Sequence, residues 1–324
     1  MWKTVRAILL RLLYGGLSLL FITFVAFLAD EAAPGDYATV RAGEKASQAD
    51  IERLRKQYGL DRPWPIRYAE MLGRLAQGDL GESYLPTQGK VKDVLARNVP
   101  MTLRLAIFAI VLAAAVGITL GTLAAIYENR FVDRTVLIGS TLGVTIPNFV
   151  LAPLLVWFFY FFLPSKTGGN PIFAQNWDPV TSKPDFYTLA LPIMILAARP
   201  AAMLTRLTRA SMIETLQQEF IRLATAKGVP PMRLILRHAL RNAILPVITA
   251  IGTSFGFLLT GSFVVERFFS LPGIGKEAIE AIIASDAPVV MGTIIFSGFL
   301  FITVNLVVDI LLPILDPRIR EAQI

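Results

Sequence analysis

The sequence predicts an all-α integral membrane protein with six transmembrane helices and a helical loop outside the membrane between the first and second. Three observations predict it. Six runs reach the roughly 20 apolar residues that a helix needs to cross a bilayer; they lie at about 8–29, 101–126, 136–163, 188–208, 243–265 and 289–313. Only 17% of the 324 residues are charged and 54% are hydrophobic, with a mean hydropathy of +0.58, where a soluble domain carries about 25% charged residues. The basic residues are also unevenly placed. With the N-terminus inside, segments 1–7 (with Arg11), 127–135, 205–242 and 314–324 hold 14 Lys and Arg, whereas the short loops 164–187 and 266–288 hold 4. Basic loops stay on the cytoplasmic side, so both termini are expected in the cytoplasm.

The first run follows Lys3, Arg6 and Arg11 as the core of a signal peptide would. It is longer than the roughly 7–15 residues of such a core, and no A-x-A site follows, so residues 1–29 read as an uncleaved N-terminal transmembrane helix. Residues 30–97 form an extracytoplasmic loop with 11 basic and 11 acidic residues, too long for its charge to steer orientation. Ser47 and Asp50 precede the helix-like run IERLRKQYG. In WPIRYAEMLGRLAQG, the residues Ile66, Ala69, Leu72 and Leu75 mark one buried face of a second helix, with Gly59 and Gly78 as stops. Residues 98–313 carry the other five spans and 314–324 a cytoplasmic tail. Prolines recur inside the spans, at Pro147, Pro153, Pro192, Pro200 and Pro246, which lipid tolerates where neighbouring groups satisfy the freed backbone. The pairs Gly117/Gly121, Gly139/Gly143 and Gly252/Gly256 set small residues on one helix face for close packing. The run WFFYFF, 157–162, fits an aromatic belt at the outer interface.

Several chemistries are excluded or weakened. There is no cysteine, hence no disulfide, thiolate metal site or cysteine nucleophile. No G-x-x-x-x-G-K-[ST] phosphate loop occurs; GIGK, 273–276, is too short. The single histidine, His238, cannot build a zinc site alone. Apart from Arg11 inside the first run and Arg206 at the end of the fourth, the charged residues within the spans are Arg104, Arg199 and Asp309. Arg104 and Asp309 lie near span ends; Arg199, beside Pro200, is deeper, where a charge costs roughly 2.5–3.5 kcal/mol. It is a candidate for lining a path or for pairing with a partner subunit, against a plain headgroup or helix-end contact. No midplane carboxylate of the kind that ion-coupled carriers use is found.

The largest cytoplasmic segment, 205–242, needs an explanation. Between 220 and 246 it holds Arg222, Lys227, Arg233, Arg237 and Arg241 and no carboxylate. SMIETLQQEFIRLATAKG reads as a helix continuing the fourth span, ended by Gly228 and by Pro230-Pro231. MRLILRHALRNAI restarts a second helix, with Leu234, Ile235, His238, Ala239 and Asn242 along one side. Three uses fit such a loop: fixing topology against anionic headgroups, binding nucleic acid, or presenting a short helix to a cytoplasmic protein.

The stretch EFIRLATAKGVPPMRLILRHALRNAILP resembles the EAA loop of binding-protein-dependent ABC importers, and AKG…LRHALRNA…P is similar to the permease subunits of dipeptide and oligopeptide importers. YGLDRPWPIRY with GDLGESY resembles the outer loop of the first of their two paired permeases. LTRASMIETLQQEFIR, VVERFFSLPGIGKEAI…DAPVVMG and the terminal LDPRIR match in order along the whole chain. The general motif opens Glu-Ala-Ala where this chain has Arg222, Leu223 and Ala224; its glycine falls on Gly228, its later proline on Arg241, and Pro246 comes five residues on.

The resemblance implies the type I ABC importer permease fold, with a coupling helix near 224–234. Arg222, Ala224, Thr225, Ala226, Lys227, Gly228, Val229, Pro230, Met232, Arg233 and His238 would then contact an ATPase subunit. The expected partners are a second homologous permease, two ABC ATPases, an extracytoplasmic solute-binding protein, a peptide substrate and membrane lipid, with no nucleic acid. The chain itself would be no enzyme and would hold no cofactor, ATP and Mg being bound by the partner subunits. The loop 30–97 and the segment 266–288, expected to hold an amphipathic helix, would gate the outer vestibule. The cargo stays open between dipeptides, oligopeptides, nickel chelates, opines and sugars. Two other readings of the residues stand beside this one: an ion-coupled secondary transporter, and a membrane scaffold whose basic loop recruits a cytoplasmic protein. The expected location is the cell inner membrane.

Overall fold

The computed structural model describes residues 2–32, 37–42, 46–85, 87–169 and 186–315. In order these form α1 (Trp2–Ala32), α2 (Tyr37–Ala42), α3 (Gln48–Gln57), α4 (Trp64–Ala76), α5 (Val91–Ile126), α6 (Phe131–Thr145), α7 (Asn148–Val156), α8 (Leu163–Thr167), α9 (Phe186–Leu216), α10 (Glu219–Ala226), α11 (Pro231–Arg233), α12 (Leu240–Gly261), α13 (Phe263–Phe268), α14 (Ile274–Ile283) and α15 (Ala287–Leu315). Two segments wind as π-helical turns, Trp157–Phe162 before α8 and Leu234–Ala239 before α12. Among the described residues, extended pairing is limited to an isolated bridge between Glu82 and Lys90. The expected cytoplasmic tail, apart from its first two residues, and most of the loop 164–187 lie outside the described residues.

Among the described residues, six helical stretches are long and apolar enough to cross a membrane: Leu9–Ala32, Val91–Ile126, Asn148–Lys166, Tyr187–Leu216, Pro231–Thr260 and Ala287–Val308. The third differs from the expected run 136–163. The chain leaves the helix at Ile146 (φ −77, ψ 118), and Pro147 caps a new helix. Proline drives the preceding residue out of the helical region. Here that residue follows Val144 and Thr145, so three β-branched residues of modest helix propensity precede the ring. Pro100, Pro153, Pro192, Pro200 and Pro246, by contrast, stay inside their helices, preceded by valine, alanine, leucine, arginine and leucine.

The chain divides into two compact units, Met1–Thr102 with Pro272–Ile302, and Leu103–Leu271 with Thr303–Ile324. In the first, α3 opens on a capping box: the Ser47 hydroxyl accepts from the Asp50 N–H at 3.2 Å and the Asp50 carboxylate accepts from the Ser47 N–H at 3.4 Å. Gly59 and Gly78 adopt left-handed backbone, φ +63 and +74, and end α3 and α4 as expected. The covered face of α4 agrees with the expected one only at Leu72 and Leu75. Ile66 and Ala69 are exposed, and the half-buried side is Arg67, Tyr68, Met71, Leu72 and Leu75. Tyr68 decides the rotation. Its ring lies 5.5 Å from Phe24 and 5.3 Å from Phe27 of α1, its hydroxyl is 3.0 Å from that of Thr23, and Arg67 beside it pairs with Glu31. An aromatic body with a polar tip, next to a long basic stem, covers apolar surface as well as leucine does.

The start of α5 packs in the same unit. Val91, Val94 and Leu95 are buried against Ile274, Ala281 and Val289. Asp286, buried, accepts from the Ser83 hydroxyl and, at 3.1 Å, from the Tyr84 N–H. Asn98 donates to Glu277 at 3.2 Å. The segment expected to be amphipathic holds the helix α14, but its faces do not divide by polarity: it buries Ile274 and Ala281, half-buries Lys276, Glu277 and Glu280, and leaves Ile282 and Ile283 exposed.

In the second unit, α9 is the centre. A Cβ added at Gly117 would lie 2.6 Å from the Leu204 Cβ, and one at Gly121 2.6 Å from the Thr205 carbonyl oxygen. The first glycine pair is therefore an interhelical contact between α5 and α9, as small-residue packing in lipid requires. Of the second pair only Gly143 meets α9, at Ala202; nothing lies within 4 Å of a Cβ at Gly139. Gly252 backs onto Val308. We expect Gly121→Val to destabilise the detergent-solubilised protein by about 3 kcal/mol, the upper end for overpacking, because the obstacle is backbone. Gly139→Ala should not lower the thermal midpoint and is expected to raise it slightly, since nothing meets the added methyl and alanine is the better helix former. Equal midpoints for the two variants would contradict this packing.

Candidate coupling surface

The basic segment begins where α9 stops. The Gln217 and Gln218 N–H groups bond back to Glu214 and Thr215, and Gln218 turns extended (φ −69, ψ 149) before α10. The single helix expected over 211–228 is thus two. The short second piece is held by one side chain: Ile221 is the buried residue of α10, and it packs with Ala125 of α5, Met212 of α9, Ala239 of the π-helical turn and Ala243 of α12. A polar bond ties the same helices, with the Ser211 hydroxyl donating to the Ala243 carbonyl at 2.8 Å.

α10 ends on Gly228, φ +76. The Gly228 N–H donates to the Thr225 carbonyl at 3.0 Å and the Val229 N–H to the Ala224 carbonyl at 3.2 Å. This pair of bonds is a Schellman motif, which needs a left-handed residue and so favours glycine. Pro230 is extended and Pro231 opens α11 at the position where a missing N–H costs nothing. The coupling helix expected near 224–234 is therefore not continuous. Residues 219–226 form the helix, 227–230 the turn, and 231 onward belongs to the rod that becomes α12. His238 lies inside the π-helical turn, and its carbonyl accepts from Asn242 at 2.7 Å.

The expected contact residues fall mainly on the open side. Arg222, Thr225, Ala226, Lys227, Gly228, Pro230, Met232 and Arg233 are exposed; Ala224, Val229 and His238 are half-buried. The structure adds Phe220, Leu223 and Leu236, large apolar side chains left exposed. Phe220, Leu223 and Lys227 recur at helical spacing opposite Ile221, a signal that the basic residues masked in the sequence. Exposed apolar groups beside unneutralised cations mark a surface that meets a partner. Among the described residues no cluster of three or more His, Asp or Glu is placed to hold a metal.

A second feature was not expected from sequence. Asp133, 2% exposed, receives two bonds from the Arg209 guanidinium, Nε to Oδ1 at 2.5 Å and Nη2 to Oδ2 at 2.7 Å. It also accepts from the Asn129 N–H at 2.9 Å, where Asn129 sits at φ +62. Arg209 chiefly, with Asn129 in support and burial opposing, holds the Asp133 carboxyl below the usual carboxylate range. The pair fixes the turn between α5 and α6 to the foot of α9. Arg199, also on α9, is exposed and has no hydrogen-bond or ion-pair partner among the described residues.

Comparison with known proteins places this arrangement. Residues 117–321 match the family described as binding-protein-dependent transport system inner membrane component, and residues 4–106 match the N-terminal family of the same membrane components. A putative peptide transport system permease protein of Brucella abortus is 39% identical over 304 residues, 93% of this chain and 95% of that protein. A dipeptide transport system permease protein of Bacillus subtilis is 38% identical over 307 residues, 94% of each. A glutathione transport system permease protein of Pectobacterium atrosepticum is 35% identical over 306 residues, 94% of this chain and 95% of that one. The six-span helical chain, with its cap and its basic loop, belongs to the family of binding-protein-dependent transport system inner membrane components and has the type I permease fold.

Proposed function

We propose that this chain is one of two paired permeases of a peptide-importing ABC transporter in the cell inner membrane, with both termini in the cytoplasm. It forms half of the path and supplies no hydrolytic chemistry. ATP and Mg are bound by two separate ATPase subunits, and an extracytoplasmic binding protein delivers di- or oligopeptides to the side of the 30–97 cap. The peptide class is supported by the relatives named for peptides, a dipeptide and glutathione, itself a tripeptide. The asymmetry of basic residues supports the orientation.

The observation that carries the proposal is α10. It is a short helix with a fixed glycine end, open on its basic and apolar side and anchored by one buried isoleucine to α5, α9 and α12. A push on it reaches three helices at once. Transmission between two packed states by rigid-body movement needs this connection and little else. Cysteine at position 227, where Lys227 is exposed, should crosslink to the ATPase subunit in the assembled transporter. Failure to crosslink, with control cysteines reacting, would remove the coupling role.

A further inference from the structure

The most buried of the six spans leaves one stripe open. In the span within α9, 67% of the apolar window is buried, against 11–33% for the other five. Its exposed positions include Arg199, Met203 and Arg206, spaced i, i+4 and i+7 and so on one face. Arg199 and Arg206 have no ion-pair or hydrogen-bond partner among the described residues. The open faces of other spans are of a different kind: Leu13 and Phe21 on α1, Phe108 and Val111 on α5. Those are side chains for lipid. An unpaired arginine near the middle of a 30-residue span is costly in lipid and belongs on a face that meets water or an anion.

The chemistry of the stripe names the anion. A guanidinium presents a planar fork that matches a carboxylate with two parallel bonds. Methionine offers a polarizable, adaptable surface that accepts side chains of many shapes. We propose that Arg199 is a transit site for the carboxylate of the peptide passing along α9, the anionic group that every unmodified peptide shares, while Met203 tolerates its variable side chains. The inference rests on the reading of this chain as a peptide permease. It adds that the permease itself, and not the binding protein alone, discriminates on a charged terminus.

The test uses the complete transporter in proteoliposomes with its binding protein. Ala-Ala and Ala-Ala-Ala are supplied as free acids and as C-terminal amides, each at a concentration that saturates the binding protein. The wild type should import the free acids at least tenfold faster than the amides. Arg199→Gln should bring that ratio within twofold by slowing the acids alone, and Arg199→Lys should keep part of the preference. Equal wild-type rates for acids and amides would overturn the inference, as would an Arg199→Gln variant that keeps the preference. Loss of both substrates together, or of assembly with the second permease, would assign Arg199 to subunit pairing and overturn it equally. Should the wild type import no peptide in either form, the permease reading itself fails, a result distinct from the others.

Discussion

Replacing Gly228 by proline is expected to reduce peptide uptake to background while the polypeptide remains inserted at normal abundance. Proline is locked near φ −65, and this residue stands at φ +76. The substitution also deletes the N–H that bonds to Thr225. The last turn of α10 must then unwind, and with it the surface carrying Arg222, Leu223 and Lys227. Insertion should survive, because Gly228 is exposed and nothing lies within 4 Å of a Cβ placed there. Gly228→Ala separates backbone strain from bulk. It costs about 1–2 kcal/mol for a left-handed non-glycine residue and should give partial uptake. The measurement is labelled-peptide uptake against the amount of permease in the membrane. Wild-type uptake by the proline variant at equal abundance would remove the rigid turn from the mechanism.

The second large effect is expected at Asp133. Asp133→Leu should lower the stability of the solubilised protein by about 3 kcal/mol, the lower end for one-sided removal of a buried charge pair, since the Arg209 side chain keeps 20% of its surface exposed. The double variant Asp133→Leu/Arg209→Met should recover most of that loss, because no unpaired charge is left behind. The pH dependence has a definite sign. The Asp133 carboxyl is held below its ordinary range, so its contribution is fully present above the unfolded value near 4 and is lost as pH falls through the lower folded value. The gap in thermal midpoint between wild type and Asp133→Leu should therefore be constant from about pH 7 to 5 and close only below about pH 4. A midpoint unchanged by Asp133→Leu at neutral pH would contradict the clamp.

These two sites join helices that the proposed coupling would have to move together. Ile221 ties α10 to α5, α9 and α12, and Asp133 ties α6 to α9 through Arg209. The glycine face of α5 lies directly on α9. A handle is useful only where the helices behind it move together, and close packing of this kind shifts between discrete arrangements without deforming smoothly.

What the sequence revealed follows from which forces are local. The six spans were legible because bilayer thickness demands a long apolar run, and run length is read directly. The end of α10 was legible because Gly228 followed by Pro230 and Pro231 leaves little choice of turn. The break at Pro147 was not, because other prolines stay inside their helices. Pro100 stays helical even after the β-branched Val99, so the residue before a proline does not by itself report a break. The covered face of α4 was read correctly at Leu72 and Leu75 and not at Ile66 and Ala69. Tyr68 and Arg67 turn that helix through contacts with Phe24, Phe27 and Glu31, all distant in sequence. The Asp133 clamp joins residues 76 positions apart, and no local pattern reports such a pair. At the coupling surface the cations were visible from charge alone. Phe220, Leu223 and Leu236 looked like ordinary core leucines and phenylalanines until their exposure was known.

The central claim is that this chain carries the gate and that a separate motor drives it through the segment around Gly228. Reconstitution tests it most directly. Liposomes holding the complete transporter, with ATP inside and the liganded binding protein outside in the orientation proposed here, should accumulate peptide against a gradient, and liposomes holding this chain alone should not. Uphill accumulation by the isolated chain, with or without an ion gradient, would contradict the account.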